Sequence, residues 1–421
     1  MAADTDTDNA DAAVDRVDYA AIERARERLD PEVVKETPVD RCPSLDDLTG
    51  GEVHLKMEHL QWTGSFKPRG AYNRISQDAA DGVSSFVAAS AGNHAQGVAL
   101  AAGVCDAEAT VYMPENAPGT KVEATRGYGA SVELVGKDFQ EAMAAAREAA
   151  AEGDAEFVHA YDDPDVIAGQ GTLGTEMYHD NPDADTVVVP IGGGGLISGV
   201  ATAIKHLSPE TRVVGVQATG AETVHQSLNK GFPVTLDEVD TIADGIATGG
   251  VSELTLSIIQ ECVDEVVTVS DDDIAGAILL LMEEAKQVVE GAGAASVAAL
   301  LSEDLDVTGE TVMPLLCGGN LDMTQLRTVL IHALTDRQQI LQLRVRIDDR
   351  PGVLEDISGR IAAQDANIQD VRHDRSVEDL DVGEAYLVVT VEASGAAHAE
   401  TIVRAVREGG YPVENVNRVS S

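Results

Sequence analysis

Basic residues are scarce in this chain: 29 lysines and arginines, eight of them lysine, stand against 73 acidic residues, for a net charge of -44 over 421 residues. The acidic excess runs along the whole length and is not gathered in one tail. Nucleic acid and anionic membrane surfaces would both be repelled, so neither is expected as a partner. Such a charge costs stability through self-repulsion but keeps a protein soluble where ions screen it, which implies a salt-rich cytoplasm. Cysteine is also sparse. Cys42, Cys105, Cys262 and Cys317 have neither metal-ligand spacing nor the pattern of a disulfide framework, as suits a reduced compartment. No basic start followed by an apolar stretch opens the chain and no apolar run reaches membrane-spanning length, so secretion and insertion are not expected and a cytoplasmic location is. What the chain does have is length for two or three domains and 44% apolar residues to fill their cores.

Residues 1–17 are mostly Ala, Asp and Thr and read as an acidic, disordered tail. From 18 to about 335, short β-rich runs alternate with Ala-rich helical stretches. The clearest strands are 86–90, 109–113, 186–190 and 212–216, and such alternation predicts an α/β fold of parallel sheets covered by helices. Ligands of such sheets bind beyond the carboxyl ends of the strands. The rhythm changes near Ile340. A half-buried strand at 342–347, a turn at Asp349-Arg350-Pro351-Gly352, a helix to about 366, strands at 367–375 and 384–393, a helix at 397–408 and a last strand make a ferredoxin-like βαββαβ module over 340–421.

Four segments carry candidate chemistry. In Gly64-Ser65-Phe66-Lys67-Pro68-Arg69-Gly70-Ala71, Pro68 restricts Lys67 toward extended backbone and starts a helix, while the glycines let the chain pass close to a ligand. Lys67 is either a surface lysine at a helix start or, if desolvated, a nucleophile toward carbonyl groups. Ser90-Ala91-Gly92-Asn93-His94 joins a strand to an Ala-rich helix. It is either an ordinary capped helix start or an anion site in which free N–H groups hold a substrate carboxylate and Asn93 donates to a phenolic oxygen. Gly192-Gly193-Gly194-Gly195-Leu196 lies between an all-apolar strand and a helix, where a flexible linker does not belong and unshielded N–H groups can wrap a phosphate. The dinucleotide spacing G-x-G-x-x-G fails there and no Walker lysine follows, so a phosphate-bearing cofactor other than a dinucleotide fits. Cys317, in Leu315-Leu316-Cys317-Gly318-Gly319-Asn320, is either an ordinary buried cysteine or a weak neutral partner for a ring nitrogen.

In this order the four segments resemble the fold type II pyridoxal phosphate enzymes, whose catalytic region is tryptophan synthase β-like, and among them the threonine dehydratases. The resemblance spans about 30–335 and extends to Met113-Pro114-Glu115-Asn116-Ala117-Pro118, to the segment Lys121–Ala130, and to Asp162-Asp163-Pro164 through Gly169-Gln170-Gly171-Thr172. The module at 340–421 looks like an ACT domain, a small-molecule regulatory unit. The resemblance implies two open parallel-sheet subdomains, the smaller over roughly 53–150, with pyridoxal 5'-phosphate bound covalently by Lys67. It places Phe66 and Asn93 beside the ring, Gly192, Gly193, Gly194, Gly195 and Leu196 on the phosphate, Cys317 at the pyridine nitrogen, and the substrate at Ser90, Ala91, Gly92, Asn93 and His94.

The implied reaction is deamination of L-threonine to 2-oxobutanoate and ammonium, in a homo-oligomer (dimer or tetramer) with an amino-acid effector such as isoleucine at the ACT-like module. Related serine racemases carry a serine where this chain has Ala91, so racemisation is not expected. Their divalent-metal positions read Gln217 and Thr223 here, so no metal site is expected, although Glu222 and Asp244 lie close in sequence. A serine or dual serine/threonine dehydratase, a degradative role, and a catalytically silent amino-acid sensor remain as competing readings.

Overall fold

The computed structural model describes residues 17–377 and 379–416. The expected acidic tail falls outside the described residues except for Val17, which is buried against Ile22, Ala25 and Ile167. The chain divides into two compact units, one ending at Leu321 and the other beginning at Asp322.

The first unit holds two sheets. The larger has six strands in the order Val39–Arg41, Glu52–Lys56, Thr311–Pro314, Thr186–Pro190, Arg212–Ala218, Glu265–Val269. All neighbours are parallel except the edge strand Val39–Arg41, which pairs antiparallel with Glu52–Lys56. Every residue of Thr186–Pro190 is buried, as expected of a strand covered by helices on both faces. The smaller sheet is wholly parallel, in the order Ser131–Leu134, Glu108–Met113, Ser85–Ala89, Glu156–Phe157. Its span differs from the expected 53–150: Glu52–Lys56 belongs to the larger sheet, and Glu156–Phe157 extends the smaller one. The core under the smaller sheet gathers Phe86, Val98, Val111, Met113 and Ile75. Burying each such side chain is worth about 1.5–3 kcal/mol.

Helices Pro164–Asp180 and Gly195–Leu207 cross at glycines, and this contact anchors the helix that follows the tetraglycine loop. A Cβ on Gly199 would lie 2.5 Å from the Gly171 nitrogen, a backbone atom that cannot swing aside. Alanine gains about 1 kcal/mol in helix propensity over glycine, but overpacking against backbone costs about 1–3 kcal/mol or more and wins. Gly199→Ala is therefore expected to lower the thermal midpoint, as read by calorimetry.

The second unit opens with helix Met323–Asp336 and continues with a four-stranded antiparallel sheet in the order Asn367–Asp374, Glu384–Glu392, Ile340–Asp348, Val413–Asn415. That helix falls in this unit, although the sequence pattern assigns it to the region that ends near 335. Helices Val353–Ala362 and Ala396–Glu408 complete βαββαβ. Alternate residues of Ile340–Asp348, namely Leu341, Leu343, Val345 and Ile347, are buried with Ile357, Ile361, Ile402 and Val406. One apolar face explains why these strands alternate where those of the larger sheet do not.

Candidate active site

Three of the four candidate segments emerge at one edge of the larger sheet because their strands are parallel neighbours. Pro314 is in register with Val188, and Lys56 bridges Leu315 in parallel. The carboxyl ends that lead to Gly192–Gly195, to Cys317 and to the turn before Lys67 therefore lie side by side. Backbone pairing closes the gap: Phe66 N–H donates to the Cys317 carbonyl at 3.2 Å, Gly319 N–H donates to the Gly64 carbonyl at 2.8 Å, and Ser65 bridges Gly318. Gly64 has φ +72°, a conformation a side chain would resist.

Lys67 is the first residue of helix Lys67–Ala80, with Pro68 second. This corrects the expectation of an extended Lys67 ahead of the helix. A proline is tolerated in the first turn because its position has no helical acceptor to lose. Lys67 is half-buried, and its Nζ donates to the Ala160 carbonyl at 3.2 Å and lies 5.0 Å from the Phe66 ring centroid. Burial pushes its amine down to about 8 from the usual 10.5, against the opposing pull of Cys317 and Glu290. Phe66 is buried. Gly97, on the helix Asn93–Val104, allows that helix to approach: a Cβ there would sit 3.0 Å from the Lys67 carbonyl carbon.

Helix Asn93–Val104 follows the smaller-sheet strand Ser85–Ala89, and its cap residue Gly92 offers no side-chain acceptor. The Ser90 hydroxyl instead accepts from Gly92 N–H at 3.1 Å, leaving first-turn N–H groups for a ligand. Ala91 is half-buried. His94 differs from its neighbours: it is buried, and its Nε2 lies 2.9 Å from the Val158 carbonyl. A carbonyl only accepts, so Nε2 carries the hydrogen. Burial and the nearby Lys67 charge push the ring down to about 3, so it stays neutral.

Gly194, at φ +90°, precedes helix Gly195–Leu207, which starts without a side-chain cap. Leu196 is buried in its first turn. The loop is closely walled. A Cβ on Gly192 would lie 3.1 Å from Ile246 Cα, one on Gly194 2.8 Å from Thr255 Cβ, one on Gly195 2.8 Å from Tyr161 Cβ, and one on Gly193 would overlap the Tyr161 ring. A bare-backbone cradle at a helix N-terminus, with a readily deprotonated amine and a neutral thiol on adjoining strand ends, suits a phosphate-bearing pyridine aldehyde. The thiol is Cys317, buried and pushed well above the ordinary range by that burial, with Glu290 adding to it.

Several site residues were not singled out in the sequence. Asn93 donates through Nδ2 to Glu290 Oε1 at 2.8 Å, and Asn320 Nδ2 donates to Asn93 Oδ1 at 2.8 Å. Burial pushes Glu290 up to about 7. Its only signal in sequence is a single carboxylate at the start of the otherwise apolar helix Gly291–Leu301. Tyr161 and His159 adjoin the Asp162-Asp163-Pro164 motif. Tyr161 and Asp162 N–H groups donate to His159 Nδ1 at 3.3 and 2.8 Å, and burial pushes that ring down to about 4.

Gln217 and Thr223, the positions the resemblance compares with a racemase metal site, are hydrogen-bonded to each other. Gln217 Nε2 donates to the Ala221 carbonyl at 3.2 Å, and its Oε1 accepts from Thr223 and Val224 N–H groups at 3.1 and 2.9 Å. The amide itself organises that loop. Asp244 pairs with Lys121 at 2.9 Å, and Glu222 is half-buried. Among the described residues, no group of three or more His, Cys, Asp or Glu is placed to hold a metal, and no helix is long and apolar enough to cross a membrane.

Residues 31–318 match the family model of pyridoxal-phosphate dependent enzymes. An L-threonine ammonia-lyase of Thermotoga maritima is 44% identical over 388 residues, covering 91% of this chain and 96% of that protein. Threonine deaminase isoform 2 of Solanum lycopersicum, in its processed form, superposes with a TM-score of 0.72 at 37% identity, covering 75% of this chain and 88% of that one. Maize serine racemase superposes with a TM-score of 0.71 at 34% identity, over 76% and 99%.

Proposed function

The chain belongs to the pyridoxal-phosphate dependent enzymes, of fold type II, and from that premise we propose that it deaminates L-threonine to 2-oxobutanoate and ammonium. The observation that carries this reading is the convergence at one sheet edge of a lysine depressed to about 8, a tetraglycine helix start and a buried neutral thiol. The relatives named for threonine deamination supply the substrate class.

When bound, pyridoxal phosphate withdraws electrons from the substrate's Cα and so makes its proton acidic. In the proposed arrangement Gly192, Gly193, Gly194, Gly195 and Leu196 hold the phosphate with backbone N–H groups, and Lys67 anchors the aldehyde. Phe66 would flank the ring and Asn93 would donate to its phenolic oxygen. The N–H groups and short side chains of Ser90–His94 orient the substrate carboxylate. Lys67, held beside the substrate's Cα, would act as the neutral base that removes its proton. The protonated Lys67 amine would return that proton to the β-hydroxyl, which leaves as water, and the unsaturated amine so formed takes up water to give the keto acid and ammonium. Cys317, a neutral partner at the pyridine nitrogen, favours elimination over transamination. Ala91 carries no proton, so the opposite face of Cα has no acid and racemisation does not compete.

We further propose that residues 340–421 act as an ACT-like regulatory domain answering to an amino acid, isoleucine being the economical effector of a biosynthetic enzyme, within a homo-oligomer. The net charge of -44 supports work in high salt. In concentrated salt, kcat/KM for L-threonine is expected to exceed that for L-serine by about tenfold or more, since one methyl is worth about 1–3 kcal/mol. A preference for serine would move the enzyme to the serine dehydratases. Isoleucine inhibition should vanish in a chain ended at Leu321; a retained response would place the effector elsewhere.

A further inference from the structure

Glu290 takes no part in the chemistry above, yet it is a buried carboxyl for which the backbone makes room. Its N–H donates to the Gly318 carbonyl at 3.1 Å, and its carboxyl accepts from Asn93 Nδ2 and from the Asn320 backbone N–H. A Cβ on Gly245 would lie 2.9 Å from Oε1, and one on Gly318 would overlap it. Lys121, Asp244, Lys67 and Cys317 are the charged and titratable groups that act on it.

The hydrogen bonds around it run in one direction. The Thr63 carbonyl can only accept, so the Asn320 amide atom 2.6 Å from it is nitrogen. That nitrogen's second hydrogen points at Asn93 from 2.8 Å, so the Asn93 atom there is oxygen. The other Asn93 amide atom must then be nitrogen, and it meets Glu290 Oε1 at 2.8 Å. One hydrogen on Asn93 is thereby engaged and one is left over. We propose that Glu290 is a positioning residue which, together with Asn320, fixes the Asn93 amide so that only a donor faces the cofactor's phenolic oxygen; this rests on the function proposed above. If either clamp is lost the amide can turn over and present its oxygen, which would repel the phenolate.

The test uses full-length holoenzyme and two readouts besides turnover: the dissociation constant of pyridoxal phosphate and the pH midpoint of its visible absorbance. Glu290→Ala and Asn320→Ala are each expected to loosen the cofactor about fivefold, the worth of one net hydrogen bond. The double variant should be no looser than the worse single one, because both substitutions free the same amide. Glu290→Gln keeps an acceptor oxygen and should restore affinity to within about twofold, a small fraction of one hydrogen bond. In Asn320→Ala the absorbance midpoint should rise, since the phenolate loses its fixed donor. Additive losses, a Glu290→Gln as weak as Glu290→Ala, or an unmoved midpoint in Asn320→Ala would overturn the assignment. If Glu290→Ala does not fold, Glu290→Gln and Asn320→Ala decide between the same outcomes. A wild-type protein that takes up no cofactor would sink the enzyme reading instead, whereas a loaded wild type with indifferent variants removes only the role of Glu290.

Discussion

Lys67→Ala is expected to remove turnover by at least about a thousandfold, because proton transfer by a positioned base alone contributes roughly 10²–10⁴ and the covalent anchor is lost with it. The variant should also lack the visible absorbance of the wild type, which separates loss of the anchor from general damage. The pH dependence follows from the site. Below about 8 the Lys67 amine is an ammonium with no lone pair; above it the amine is free, where an ordinary lysine would wait until 10.5. The rate at which apoprotein takes up cofactor should therefore climb with pH and level off above about 8, followed by absorbance after mixing. A half-maximum near 10 would mean that Lys67 is solvated and that the buried-nucleophile reading is wrong. The stability sign is the same: burial disfavours the charged form, so the apoprotein should gain stability as pH rises from about 8 toward 10.5.

The features legible in the sequence were those carried by neighbouring residues. The all-apolar run before four glycines marked a buried parallel strand entering a phosphate-type turn, and the 340–348 alternation marked a one-faced strand; both are local patterns with a period. Glu290, Asn320 and Gln217 were not legible as site or loop organisers. Glu290 meets Asn93 across 197 positions and Asn320 meets Asn93 across 227, and no periodicity connects residues so far apart. Lys67 was misplaced by one residue for a related reason. Proline predicts an extended neighbour from local sterics alone, whereas Phe66, whose N–H is tied to the Cys317 carbonyl, already has helical backbone angles and Lys67 opens the first turn.

Arg69→Met is the second large expected effect, and it acts on stability. Two residues beyond Lys67, Arg69 is fully buried. Its Nε and Nη2 donate to Glu58 at 2.6 and 3.1 Å, and its Nη1 and Nη2 donate to Glu176 at 2.6 and 2.9 Å. Lys56, also buried, donates to Glu176 at 3.1 Å, to Asp180 at 2.8 Å and to the Thr37 carbonyl at 2.8 Å. Burial disfavours the Arg69 charge, but Glu58 and Glu176 more than offset it and hold the guanidinium protonated. Removing that charge strands Glu58, itself 0% exposed, and an unpaired buried ion costs about 3–5 kcal/mol. The thermal midpoint should fall by about 5 °C. Arg69→Lys should recover little of this, because one ammonium cannot reproduce the four guanidinium bonds to carboxylates and the fifth to the Thr172 hydroxyl in fixed geometry. Salt distinguishes this cluster from surface pairs: Arg69 and Glu58 are buried in direct contact, so the loss should persist at molar salt, whereas the more exposed Lys121–Asp244 pair should be screened. On the acid side, burial raises the Glu176 carboxyl but Arg69 and Lys56 outweigh it, so its folded value lies below the ordinary 4.5. Stability from Glu176 is thus present above about 4.5 and drains away as pH falls through the lowered value. A midpoint for Arg69→Met within about 1 °C of wild type, less than one kcal/mol, would show that the cluster is solvated and that the turn carrying Lys67 does not depend on it.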